Sequence, residues 1–243
     1  AIINCTRKEE KPAKLYVFAI GINEYKKSSY NLNYAVPDAT AFVDAIKKGA
    51  ADIFESVEVI FLKNLEASKE NIESKFNDLK ENTTQGDVFL FYYAGHGSMS
   101  VVKEGENSVF YLIPHEVTNI YSKEELQKSG ISAFDLQEYS KNIKAQKQLF
   151  VLDACQSGGA VDLIANRGAV KEKAMAILAR STGTYFLTAS GSEQFASEFG
   201  DLGHGVFTYA ILQGLSGQAD AGNDEKVSVK ELSLFVENKV PEL

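Results

Sequence analysis

Apolar runs alternate with amphipathic stretches along most of the chain. Residues 15–22 are apolar without interruption, the pattern of a strand buried on both faces. Pro37 and Asp38 then open a helical period in which Ala41, Phe42, Ala45 and Ile46 share a face. Residues 57–62 predict a second strand, and Ser68 caps a helix whose inner face carries Ile72, Phe76 and Leu79. A third strand is predicted over 88–94 and a short strand or hairpin arm over 110–113. Ser132 with Asp135 reads as a capping box before Leu136, Tyr139 and Ile143. Strands follow over 148–153 and 184–189. A helix begins near Gly205 with Phe207, Ala210, Ile211 and Leu215 on it, and Ser228 with Glu231 caps a last helix that turns Leu232, Phe235 and Val236 inward. From Gln156 to Lys173 periodicity is lost and Gly and charge accumulate, which predicts a long loop. Strands alternating with helices of this length predict an α/β fold with a mainly parallel central sheet and helices on both faces. There is no internal repeat or low-complexity stretch.

Composition narrows the function classes. With 243 residues, 44% apolar and 24% charged, the chain suits a globular domain with a sizeable core. Lys and Arg total 25 against 33 Asp and Glu, a formal charge of -8, which argues against a nucleic-acid surface and against a polybasic membrane anchor. No segment approaches the roughly 20 apolar residues of a membrane span, and the N-terminus lacks a secretory apolar core. Two cysteines, Cys5 and Cys155, do not make a secreted disulfide framework, although a bridge between them stays open. A cytoplasmic location, where Cys155 stays a thiol, is the expectation. The chain opens with Ala and ends soon after a helix, as a domain cut from a longer protein does.

Two of the predicted strands end in candidate chemistry. The run 88–91 leads into Tyr92-Tyr93-Ala94-Gly95-His96-Gly97, and 148–151 leads into Leu152-Asp153-Ala154-Cys155-Gln156-Ser157-Gly158. Ligands and chemistry collect at strand carboxyl ends in open α/β sheets. A thiol with a pKa near 8.5 needs a proton acceptor to become a nucleophile at neutral pH, and an imidazole on a nearby strand supplies one. In right-handed crossover topology two such strands lie side by side or one apart. Gly97 and the small residues around Cys155 let backbone N–H groups reach a substrate oxyanion. The first strand ends in Gly21-Ile22-Asn23-Glu24, with neither a dinucleotide fingerprint nor a P-loop, which counts against nucleotide binding.

These motifs resemble the caspase-like cysteine peptidases, in the metacaspase and bacterial caspase-homologue branch. The resemblance rests on Ala19-Ile20-Gly21-Ile22-Asn23, Ala35-Val36-Pro37-Asp38-Ala39, Tyr93-Ala94-Gly95-His96-Gly97, Asp153-Ala154-Cys155-Gln156-Ser157-Gly158 and Gly203-His204-Gly205-Val206-Phe207-Thr208, in family order. It implies a caspase-like three-layer sandwich and one peptidase domain over 1–243. Within it, 1–13 is a tail, about 14–158 matches the large subunit, 159–180 the intersubunit loop and about 181–243 the small subunit. It implies Cys155 as nucleophile, His96 as base, and the backbone amides of Gly97 and Cys155 as oxyanion hole. Caspases carry Gln where this chain has Asp153, and they cut after Asp. With Asp153 and Asp38 lining the S1 pocket the preference reverses to Arg or Lys at P1, since carboxylates pair with guanidinium and ammonium groups. The simpler alternatives are that Asp153 caps loop amides and that Asp38 complements a helix N-terminus.

The resemblance further implies that Ser190 and Gly191 pair with the substrate backbone, and that Arg167, Lys171, Lys173 or Arg180 is a self-cleavage site in the intersubunit loop. Partners are then protein or peptide substrates, with a flanking sensor domain or regulatory partner, in a stress, cell-death or defence pathway. A catalytically inactive interaction module is the competing function, opposed by the presence of both His96 and Cys155. No cofactor is needed for the chemistry and no metal site is assigned. Asp220, Asp224, Ser228 and Glu231 fall at positions one, five, nine and twelve of a calcium loop, but Gly222 is at three and Glu225 stands where the turn glycine belongs. A surface turn leading into the capping box is the simpler reading, and calcium activation through acidic surface sites stays open. His204 begins a helix and reads as structural or near the cleft, His115 has no motif, and the 15 Phe and 11 Tyr read as core packing. Nothing local decides between monomer and dimer.

Overall fold

The computed structural model describes residues 13–100, 109–156, 184–188, 198–199 and 203–243. Seven strands form one sheet among them: β1 (Leu15–Gly21), β2 (Val57–Lys63), β3 (Val88–Met99), β4 (Phe110–Leu112), β5 (Ile131–Ser132), β6 (Lys147–Gln156) and β7 (Tyr185–Thr188). The spine runs β2-β1-β3-β6-β7 and is parallel throughout. Antiparallel β4 joins β3 over Gly97 to Met99 and carries β5 on its far side. Gly97 pairs β6 on one flank and β4 on the other. β4 therefore takes the place beside β3 that β1 leaves when it ends at Gly21. A two-residue pair, β8 (Glu198–Phe199) with β9 (His204–Gly205), stands apart.

Because both faces of the spine are covered, its strands are apolar at successive positions. Phe18, Ile20, Phe89, Phe91 and Phe150 face a layer containing Ile72, Phe76 and Leu79 of α2 (Lys69–Asn82) and Leu136 of α4 (Ala133–Asn142). Phe18 meets Phe76 and Phe91 edge-on at 5.1 and 5.5 Å between ring centroids. Burial of each such ring contributes about 1.5–3 kcal/mol. Val17, Ala19, Tyr92 and Val151 face the opposite layer, built from α1 (Ala35–Ala50), α5 (Val206–Gln213) and α6 (Val229–Lys239). The result is a three-layer α/β sandwich with a mainly parallel sheet, the expected class.

The predicted caps are in place. The Ser68 hydroxyl accepts from the Asn71 amide, and Ser132 with Asp135 and Ser228 with Glu231 form complete capping boxes. Three differences matter. α1 begins at Ala35, two residues ahead of Pro37, so the proline stands within the first turn, where amides have no helical acceptor and its missing N–H costs little. β3 runs on to Met99 and β6 to Gln156, so the His and Cys motifs are paired strand and not turns beyond it. The short helix α3 (Lys123–Ser129) and β5 were not anticipated. With Leu126 as the one buried residue in α3, it shows no helical period, although Ser122 caps it.

The residues compared with a calcium loop form a surface turn. Asp220 accepts from the amides of Asp224 and Glu225, Glu225 stands at a left-handed φ of 63°, and Glu231 accepts from Gly222 and Ser228.

Candidate active site

The parallel register of β3 and β6 pairs His96 with Cys155. Adjacent strands lie about 4.8 Å apart and paired positions share a face, so the two residues are neighbours on the same side of the sheet at its carboxyl edge. Ala94 pairs with Asp153 two positions earlier, on that same face.

The imidazole is held from three directions. His96 is 6% exposed. Its amide donates to the Tyr25 hydroxyl at 2.8 Å, and the Tyr25 ring lies against the imidazole with centroids 4.9 Å apart. Its carbonyl accepts from Ile113 N at 3.0 Å and from the Tyr93 hydroxyl at 2.8 Å. Nε2 lies 2.7 Å from the Tyr30 carbonyl oxygen. A carbonyl only accepts, so Nε2 carries the proton and the neutral ring has its lone pair on Nδ1. An imidazole fixed in this tautomer can take a proton at Nδ1, and the Tyr30 carbonyl then stabilises the cation.

On either side of β4 the Ile113 amide donates to the His96 carbonyl and the Ser100 amide donates to the Val109 carbonyl. A Cβ on Gly97 would stand 2.7 Å from the Phe110 ring and 3.2 Å from the Ala154 Cβ, so only glycine fits without displacement.

One strand turn earlier on that face, two acids meet. Asp38, in the first turn of α1, is 3% exposed. Its Oδ1 is 2.6 Å from His204 Nδ1 and its Oδ2 accepts from the Gly205 amide at 3.1 Å. Asp153 Oδ2 accepts from the Thr208 hydroxyl at 2.6 Å, and the buried Tyr92 hydroxyl lies 2.6 Å from the same Thr208 oxygen. Thr208 donates to the carboxylate, so Tyr92 donates to Thr208. Burial first, then the charge of Asp153, raises the Asp38 carboxyl to about 7, against the hydrogen bonds from His204 and Gly205 that lower it. Burial, then Asp153 and Asp38, pushes the Tyr92 phenol well above its ordinary range.

A family model described as "Caspase domain" matches residues 15–242. The chain belongs to the caspase domain family. A curated relative, "Metacaspase-1" of Plasmodium falciparum (isolate 3D7), is 26% identical over 155 residues, which cover 59% of this chain and 24% of that protein. The chain thus spans about a quarter of that relative's length. Among solved structures, protein GSU0716 from Geobacter sulfurreducens superposes with a TM-score of 0.59 at 14% identity, covering 92% of this chain and 88% of that one. That likeness is one of fold.

In this caspase domain His96, Gly97 and Cys155 are brought to one strand pair, and the Asp38 and Asp153 carboxylates to one point beside Gly205. Ser190, Gly191, Arg167, Lys171, Lys173 and Arg180 lie outside the described residues, as does Cys5. No helix among the described residues is long and apolar enough to cross a membrane. Sequence reasoning missed Tyr25 and Tyr30, which hold His96, and Thr208 with Tyr92, which hold Asp153. Aromatic richness alone predicts core packing, whereas the Tyr25 and Tyr92 phenols and the Tyr30 carbonyl make polar contacts. Thr208 stood inside a quoted motif. His204, which the sequence reads as structural or near the cleft, is a hydrogen-bonded partner of Asp38.

Proposed function

We propose that this caspase domain is a cysteine endopeptidase that cuts after Arg or Lys. The observation that carries the reading is the register pairing of Cys155 with an imidazole whose Nε2–H is engaged by the Tyr30 carbonyl. On this reading the Cys155 thiol passes its proton to His96 Nδ1 and its sulfur bonds to the scissile carbonyl carbon. Negative charge moves to the carbonyl oxygen, where the amides of Gly97 and Cys155 receive it, each worth roughly 3–4 kcal/mol. Collapse breaks the C–N bond as His96 returns the proton to the leaving amine. Water, deprotonated by the same imidazole, then hydrolyses the acyl-enzyme.

Support for the basic P1 preference comes from the acidic pair. Asp38 and Asp153 border the same point next to Gly205. A guanidinium there would meet two carboxylates, where an Asp side chain would add a third negative charge. Self-cleavage at Arg167, Lys171, Lys173 or Arg180, and substrate pairing at Ser190 and Gly191, belong to the same proposal, as do a cytoplasmic site of action and a role in stress or defence signalling.

The test is hydrolysis of fluorogenic peptides that differ only at P1, with and without calcium. Arg and Lys peptides are turned over and the Asp peptide is not, while Cys155→Ala and His96→Ala abolish turnover without loss of far-ultraviolet dichroism. Faster cleavage of the Asp peptide refutes the P1 assignment. No labelling of Cys155 by a peptidyl-Arg electrophile, in a folded protein that cuts nothing, supports the interaction-module alternative.

A further inference from the structure

An ionisable trio meets where α1, β6 and the start of α5 converge: Asp38, Asp153 and His204. Asp38 is buried, with His204 Nδ1 2.6 Å from Oδ1 and the Gly205 amide on Oδ2. A Cβ on Gly205 would stand 3.1 Å from Asp38 Oδ2 and 3.6 Å from Asp153 Oδ2, so both carboxylates crowd one small space. Two like charges in a partly dry pocket oppose each other's ionisation, and the pair retains a proton that a lone carboxylate would have lost. Groups from β3, α5 and β9 lie against the pair. From β3 comes the Tyr92 phenol, which stays neutral, and from α5 the Thr208 hydroxyl, which does not titrate. From β9 comes the His204 imidazole, which can carry positive charge.

The geometry therefore gives His204 a role distinct from either acid. A contact of 2.6 Å between a carboxylate oxygen and a ring nitrogen requires a proton between them. When the imidazole holds it, His204 stabilises the ionised form of Asp38, opposing burial and Asp153. We propose that His204 is a specificity-determining residue: it sets the pH at which the Asp38–Asp153 pair carries two charges, and so how strongly a basic P1 side chain is preferred over a neutral one. This rests on the basic-P1 reading above. When a guanidinium enters next to the carboxylates, the proton on Asp38 leaves to water and is replaced by the substrate's charge. The only bond broken is the Asp38 O–H, and its proton is taken up by water. With that proton retained the two acids present one negative charge to P1, and once it is lost they present two.

Binding to a Cys155→Ala parent isolates this effect from the chemistry of the thiol. The probes are a fluorescent tetrapeptide with Arg at P1 and a twin carrying citrulline, which has the same shape and no charge. The ratio of their affinities cancels pH effects that act on the rest of the peptide. It is expected to rise about 10-fold between pH 6 and 8 and to level off above, the limit for one linked proton titrating near 7. His204→Gln keeps a donor for Asp38 but cannot carry charge; its rise is expected at higher pH, with the ratio at pH 7 several-fold lower. Asp38→Asn, which retains no proton to lose, is expected to give a flat profile, and it serves if the His204 variant does not fold. A parent ratio that is flat with pH overturns the inference, as does a His204→Gln profile that superposes on the parent or a rise that persists in Asp38→Asn. In each of those cases the basic-P1 reading stands as long as the Arg peptide binds more tightly. Equal binding of the two peptides at every pH overturns both.

Discussion

Replacing Thr208 by Val tests the hydroxyl chain that fixes Asp153. Thr208 is fully buried and its oxygen is 2.6 Å from both the Tyr92 hydroxyl and Asp153 Oδ2. Valine fills the same volume but neither donates nor accepts. The Tyr92 hydroxyl, on a fully buried ring stacked on Phe42 at 4.3 Å, then has no acceptor at that position. A buried polar group left unsatisfied costs about 1–3 kcal/mol. Loss of a hydrogen bond to a carboxylate adds about 1.5 kcal/mol, the low end of its range, because Asp153 is half-buried and solvent screens it. The total is about 2.5–4.5 kcal/mol, or a fall in Tm of roughly 5–18 °C for a chain of this size. Calorimetry measures it. The control is a double-mutant cycle with Tyr92→Phe, which removes the group that valine strands. The Tyr92→Phe, Thr208→Val protein should be more stable than Thr208→Val alone, by about 1–2 kcal/mol. Strict additivity of the two single changes would refute the chain, because it would mean that the two hydroxyls do not depend on each other.

Other expectations follow from the same site. Tyr25→Phe removes the acceptor of the His96 amide and should cost about 1–3 kcal/mol of stability while lowering kcat more than it raises KM; an unchanged kcat would show that Tyr25 does not position the base. Gly205→Ala is compatible with the backbone, at φ -64° and ψ 143°, but brings a methyl to 3.1 Å from Asp38 Oδ2. KM for Arg peptides should rise with Tm nearly constant, and a large Tm loss with unchanged KM would contradict this. Asp38 has a folded-state carboxyl raised to about 7, so the native state holds a proton that the unfolded chain releases near 4, and stability falls as pH rises between them. Asp38→Asn should therefore be more stable than wild type at pH 8, with the gain vanishing near pH 4, while the preference for Arg drops. Denaturant melts at the two pH values check the sign.

Much of this was legible along the chain because it depends on local pattern. Strands covered on both faces are apolar at every position, which marked β1, β3 and β6, and the capping serines announced α2, α4 and α6 before any contact was known. The order of those elements, with a glycine-flanked His96 late in one predicted strand and Cys155 just past another, determined the fold class and the pair of residues to suspect. What local pattern cannot specify is which strand lies beside which and in what register, since that is settled by the packing of both sheet faces at once. The facing of His96 and Cys155 is a property of the β3–β6 ladder. The proton position on His96 is fixed by a carbonyl 66 residues away, at Tyr30, and the state of Asp38 by burial, by Asp153 and by a contact with His204, 166 residues away. Side-chain chemistry was written in the sequence; its tautomer, its charge and its neighbours were decided only when distant segments packed together.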